Sequence, residues 1–234
     1  MVGERERSAT MVIIMKKLLV ILTAICLCVP AVTMDAKNKQ LEKALKKEYK
    51  NKMKEYKKEG WKIFGTSRTL DVALLNHYDK LNSGGENVQE VVGIASRFKS
   101  KNVGHQAALN NASVTYAQSA GSHVKGRVVS DLFGNGVDPT GEFDKFYAAY
   151  ERLVDKEIRG ELKESYSVIH SLGNNEYEMQ SFFLVDEDAA TRARLRALEN
   201  ALKESEAAQR YAEKVSEFVR EGFKVDGGAE SAAE

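Results

Sequence analysis

The stretch "HQAALNNASVTYAQSAGSHVKG", His105 to Gly126, is rich in Ala, Ser, Asn and Gly and nearly free of charge. A helix facing water carries Lys and Glu at that density, so this composition asks what the segment lies against. Read at a 3.6-residue period, Ala108, Ala112, Thr115 and Ser119 form one small-residue stripe, with Ala107, Val114 and Ala117 beside it. The pattern predicts a helix from about Val103 to Ala120 packed closely on a sheet, with Gly121 as its C-cap.

The segments around it supply the sheet. "NVQEVVGIASRFKS", Asn87 to Ser100, concentrates β-branched residues, and Gly93 permits a bulge or close approach. "WKIF", Trp61 to Phe64, and "HVKGRVVSD", His123 to Asp131, read as further strands. "SYSVIHSLGNNEYEMQSFFLVDED" is the clearest hairpin: Tyr166, Val168 and His170 alternate, Gly173-Asn174-Asn175 turn, and Tyr177, Met179, Phe183 and Val185 share the return face. The expected fold class is therefore α+β, a mixed or antiparallel sheet of about five strands packed by helices, with long amphipathic helices at both ends.

Helices are marked by their own signals. Thr66 or Ser67 is a candidate N-cap for a helix burying Leu70, Ala73, Leu74, His77 and Leu81, which Gly84-Gly85 stop. Asp138-Pro139 start another, running to about Ile158 with Phe143, Phe146, Tyr147, Tyr150 and Val154 inward. Acidic Asp186 to Asp188 open a last helix, expected from about Ala189 to Glu221. Its apolar stripe, Leu195, Leu198, Leu202, Tyr211, Val215 and Phe218, is the candidate interaction surface, for a partner protein or for a second copy in a homo-oligomer.

The first 36 residues stand apart. "MKKLLVILTAICLCVPAV" has two lysines, an apolar run from Leu18 to Cys28, then Pro30 and small residues. That layout predicts a secretory signal peptide over residues 1–36, with Met15 the better start. The run is shorter than the roughly 20 residues a bilayer span needs. Ile25 and Leu27 precede Cys26 and Cys28 where lipidation requires a small residue, so ordinary cleavage is expected and leaves no cysteine for disulfides or thiol chemistry. It also removes four basic residues (Arg5, Arg7, Lys16, Lys17) and three acidic ones (Glu4, Glu6, Asp35), leaving 31 of each. That balance, with export, excludes bulk attraction to nucleic acid.

The expected organisation continues with a basic amphipathic helix over 37–60, an α+β domain over 61–186, the long helix over 187–222 and a disordered tail over 223–234. The basic helix holds ten lysines against four glutamates, with Leu41, Leu45, Tyr49, Met53 and Tyr56 as its stripe. Docking of that narrow stripe on the domain is the plainer reading, and peripheral contact with an anionic membrane through Lys37 to Lys58 is the other.

Catalytic signatures are sparse. His77, His105, His123 and His170 are at least 18 residues apart, without the i, i+3 or i+4 spacing of a helical metal site. "SRFK" and "SHVK" match a bare S-x-x-K pattern, but both fall on expected strands, where residues three apart face opposite sides. In "GNGVDPTG" Pro139 replaces the third glycine of a dinucleotide fingerprint, and the acidic residues around Asp131 lack calcium-loop spacing. No catalytic, cofactor-binding or metal-ligating residue is assigned.

"VVGIASRFKSKNVGHQAALNNASVTYAQSAGSHVKGRVVSD" resembles the LPP-twenty type of envelope lipoprotein, and is similar to the N-terminal domain of flagellar assembly protein T. The elements carrying the likeness are a glycine-bearing strand, "VVGIAS", an alanine-spaced helix and a second strand, "VKGRVVS". The chain departs from the family in lacking Ala-Arg pairs in the helix and a lipidation cysteine. More narrowly, it looks like exported proteins of Gram-negative gut anaerobes. The resemblance implies an α+β domain of the periplasm or outer envelope, with a non-catalytic assembly or adaptor role and an envelope protein as partner. An exported hydrolase of envelope polymers is the alternative, for which a cleft lined by two carboxylates would be the sign.

Overall fold

A computed structural model describes residues 32–132 and 140–222. The chain divides into two compact units, one ending at Glu48 and the other beginning at Tyr49. The first helix, α1 (Val32–Glu59), carries Tyr49, Met53 and Tyr56 at i, i+4 and i+7; Met53 and Tyr56 are buried and Tyr49 packs beside them. Gly60, at φ +80°, ends it, and the Trp61 N–H donates to the Tyr56 carbonyl at 2.9 Å.

The elements that follow are β1 (Lys62–Phe64), α2 (Leu70–Gly84), β2 (Val88–Phe98), α3 (Lys101–Arg127), α4 (Thr140–Ile158), β3 (Lys163–Gly173), β4 (Glu176–Asp186), α5 (Glu187–Ala201), α6 (Glu206–Arg210) and α7 (Ala212–Glu221). The four strands form one antiparallel sheet in the order β1-β3-β4-β2. β4 lies inside the sheet and is buried on both faces. Phe183 and Val185 enter a core built with α3, α4, α5 and α7, whereas Phe182 packs with Tyr166, Val168, Leu74 and Tyr56 on the opposite face. Tyr166 stacks on Phe182 with ring centroids 4.4 Å apart.

The small-residue helix does lie on the sheet. Ala108, Ala112, Tyr116, Ala117 and Ala120 are buried. At Gly93 the backbones come so close that a Cβ would sit 1.9 Å from the Ala108 carbonyl oxygen. Asn111 of α3 accepts from the Ile94 N–H at 2.9 Å, which occupies one backbone donor of the β2 edge strand.

Four expectations are corrected. The sheet has four strands among the described residues, because the expected strand at His123–Asp131 is the continuation of α3 followed by a π-helical turn, Val128–Leu132. Val124 and Val128 extend the buried stripe of Ala112, Tyr116 and Ala120 at four-residue spacing, so helical burial overrides β-branched propensity. Gly121 therefore lies inside the helix instead of capping it. The Glu151 side chain of α4 comes within 3.4 Å of where its Cβ would be. The N-cap of α2 is Thr69, whose hydroxyl accepts from the Val72 N–H, and not Thr66 or Ser67.

The expected single C-terminal helix is broken into α5, a 3-10 turn (Leu202–Glu204), α6 and α7. Ser205 leaves the helical region and caps α6 by accepting from the Ala208 N–H. The break lets α7 return Val215, Phe218 and Val219 to the core that α5 already covers. No helix among the described residues is long and apolar enough to cross a membrane. The expected signal peptide through residue 31, Asp138-Pro139 and the expected tail over 223–234 lie outside the described residues.

Candidate functional site

The most organised polar cluster grows from one irregularity in the sheet. The β3–β4 register shifts between Glu164 and Tyr166, making Ser165 the extra residue of a β-bulge. Strict alternation would put Ser165 and Tyr166 on opposite faces. With the bulge, both meet His77 of α2: Ser165 Oγ lies 3.0 Å from Nδ1, and the Tyr166 ring meets the imidazole edge-on at 5.1 Å. His77 is only 1% exposed, and its other nitrogen, Nε2, is 2.5 Å from Glu90 Oε2 on β2. An ionised carboxylate only accepts, so Nε2 carries a proton toward Glu90, and in the neutral ring Nδ1 then presents its lone pair to the Ser165 hydroxyl.

A second pair stands nearby. His105 of α3 places Nε2 2.8 Å from Glu164 Oε2, and the Ser167 hydroxyl donates to the other Glu164 oxygen at 2.5 Å. His170 and Glu178 pair across the hairpin at 2.8 Å, beside the Trp61 ring. Burial pushes the Tyr166 and Tyr56 hydroxyls above the ordinary phenol range, so both remain protonated donors behind the cluster.

Ser165 opens onto a groove of about 550 Å³. Its walls are the β1–α2 loop (Phe64, Gly65, Thr66, Arg68), α2 (Ala73, Asn76, Lys80), the start of α3 (Asn102, His105) and β3 (Glu164, Ser165, Tyr166). Glu164 is the single carboxylate in that lining, and His105 and Ser167 already hold it. Arg68 and Lys80 form no ion pair with a carboxylate among the described residues, so the lining holds two cations against the one Glu164 carboxylate. The groove thus offers hydrogen-bond donors, positive charge and one hydroxyl backed by an imidazole. A second groove of about 530 Å³, lined by Lys145, Lys203, Ser205 and Arg210 among others, has no buried imidazole behind it.

The expected interaction stripe is placed differently. Val215 and Phe218 are fully buried, and Leu198 is 2% exposed. Leu195 and Leu202 are half-buried against the same core. Only Tyr211 faces outward, 40% exposed, near the Phe143 ring. The stripe therefore fills the chain's own interior apart from that tyrosine. Among the described residues, no group of three or more His, Cys, Asp or Glu is arranged to hold a metal ion.

The sequence reading set His77 on the inward stripe of its helix but assigned it no partner. Ser165 and Glu90 carried no signal, because hydrogen-bonded partners 88 and 13 positions from His77 meet only through sheet pairing. Compared with protein-family models, curated proteins and solved structures, the chain finds no match in any of the three.

Proposed function

We propose that this chain is an exported envelope protein that works by binding, and that its ligand or partner is received in the groove in front of Ser165. Export rests on the signal-peptide layout of "MKKLLVILTAICLCVPAV". The envelope setting rests on the likeness of residues 91–120, a glycine-bearing strand and an alanine-spaced helix, to envelope lipoprotein domains; the second strand expected from that likeness, over 124–130, is helical here. The single observation that carries the groove as the binding site is the convergence of four elements on a polar concavity whose Ser165 is backed by a buried imidazole hydrogen-bonded at both nitrogens. Hydrogen bonds at both nitrogens hold the group behind Ser165 in place before any ligand arrives, which lowers the ordering cost of binding. Polymer hydrolysis by paired carboxylates is not favoured, since Glu164 alone lines the groove and is already engaged.

A photo-cross-linking amino acid at Asn102, at the groove, is compared in cells with one at Glu213, exposed on α7. An adduct formed at Asn102, absent at Glu213 and lost in Arg68→Glu/Lys80→Glu, supports the reading. Equal or absent adducts at both positions sink it.

A further inference from the structure

We propose that Ser165 is an acyl-accepting nucleophile, with His77 as its general base and Glu90 holding the imidazole, and that the groove cleaves esters bearing a negative charge. The proposal rests on the groove being the ligand site and adds chemistry to it. Three features carry it together. The bulge re-aims a strand serine at a ring nitrogen 3.0 Å away. The opposite ring nitrogen is held at 2.5 Å by a carboxylate, which fixes the tautomer that leaves Nδ1 free to accept. The imidazole packs edge-on among Tyr78, Tyr166 and Phe182, and the serine in front of its Nδ1 lines the groove. The roles match a nucleophile–base–carboxylate relay, recognised by geometry and not by position in the chain, here with Nδ1 facing the serine and Nε2 the carboxylate, the reverse of the usual pairing.

The reaction balances with water alone. Ser165 Oγ bonds to the ester carbonyl carbon as its proton passes to His77 Nδ1. The bond from that carbon to the alkoxy oxygen then breaks, and the leaving oxygen takes the proton from Nδ1 and departs as the alcohol. Water next attacks the acyl-serine carbon, giving a proton to Nδ1; the bond to Ser165 Oγ breaks, the serine recovers that proton, and a carboxylic acid is released. Glu90 remains ionised throughout and steadies the imidazolium. Asn76 and Lys80 line the same groove and carry the N–H donors available to a carbonyl oxygen that gains charge, and Lys80 with Arg68 favours an anionic substrate.

The test uses a fluorophosphonate probe on the folded mature chain, with the labelled residue mapped by peptide mass spectrometry. Expected is a single adduct on Ser165, absent in Ser165→Ala and absent after heat denaturation. Because His77→Gln removes a core side chain and can fail to fold, the deciding variant is Glu90→Gln, checked by circular dichroism. It should keep the fold and label roughly 100-fold more slowly or worse. No adduct on the folded chain, an adduct at another serine, or an unchanged rate in Glu90→Gln overturns the relay. An Asn102 cross-link without a Ser165 adduct overturns the relay while the binding reading stands; a Ser165 adduct without the cross-link overturns the binding of a partner macromolecule and leaves the groove as the site of a small ester.

Discussion

Gly93 and Ala108 bring the β2 and α3 backbones into direct contact: a Cβ on Gly93 would lie 1.9 Å from the Ala108 carbonyl oxygen and 3.0 Å from the Ala112 Cβ. The nearest obstacle is backbone, so it cannot rotate away as a side chain would. Gly93→Ala should push α3 off the sheet and cost about 3 kcal/mol, the upper part of the overpacking range. Urea denaturation followed by circular dichroism measures this. A loss below about 0.5 kcal/mol, the level of a neutral surface change, would mean that α3 is not seated on Gly93.

The C-terminal apolar stripe makes a sharp contrast between neighbours in sequence. Phe218→Ala, in a fully buried position, should lose about 3–5 kcal/mol. Leu198→Glu should unfold the domain, because it buries a charge with no partner. Tyr211→Ser, at the one exposed stripe position, should keep the fold. Thermal melts of the three variants check the order, and a folded Leu198→Glu protein would return the stripe to the surface.

Arg194 ties three helices together from inside. Its guanidinium donates to Tyr116 Oη of α3 at 2.5 Å, to Glu187 Oε1 at 2.6 Å and to the Val219 carbonyl of α7 at 3.4 Å. Burial raises the Tyr116 hydroxyl to about 12, so the phenol stays protonated through physiological pH. Arg194→Ala leaves Glu187 facing the interior uncompensated and should cost about 3–5 kcal/mol. Arg196→Ala removes exposed pairs with Glu157 and Glu161 and should cost about 1 kcal/mol or less. Parallel urea titrations compare the two, and equal losses would contradict the buried latch.

His123, on α3, has its pKa lowered by burial first and by the Arg127 charge second. The unfolded imidazole titrates near 6.5, so below that pH the unfolded chain binds a proton that the native chain resists. This histidine's contribution is present above about pH 6.5 and is lost as pH falls through that value toward the depressed native one. Melting temperatures of the parent and His123→Gln should therefore draw together, or cross in the variant's favour, between about pH 7.5 and 5.5. Parallel curves over that window would remove His123 from the acid sensitivity.

Much of the architecture was legible because it rests on local periodicity. The hairpin shows it: alternating Tyr166 and Val168, then Gly173, Asn174 and Asn175, all three at positive φ, dictate a tight turn between two strands. Gly93 was legible as a place of close approach, and Phe143, Phe146, Tyr150 and Val154 as one buried face. The errors arose where tertiary packing chose between two locally acceptable states. Val124 and Val128 suit a strand, but a helix carries them into the core that Ala112 and Ala120 already line. Likewise, a continuous last helix satisfies its own hydrogen bonds yet cannot return Phe218 beside Leu198; a break at Ser205 can.

The groove was not legible at all, and its physics says why. Ser165, His77 and Glu90 sit on three elements, and a hydrogen bond needs placement within tenths of an ångström. The bulge that turns Ser165 toward His77 is a property of the β3–β4 register and leaves no composition signal. The sequence alone determined the α+β class, the turn, the tight helix-on-sheet contact and the zero net charge left without residues 1–36. Periodicity and side-chain size act over one or two turns of chain, so they are written locally. Tertiary structure alone decided which apolar stripe became interior and which polar side chains met, since both depend on distances between segments far apart in the chain.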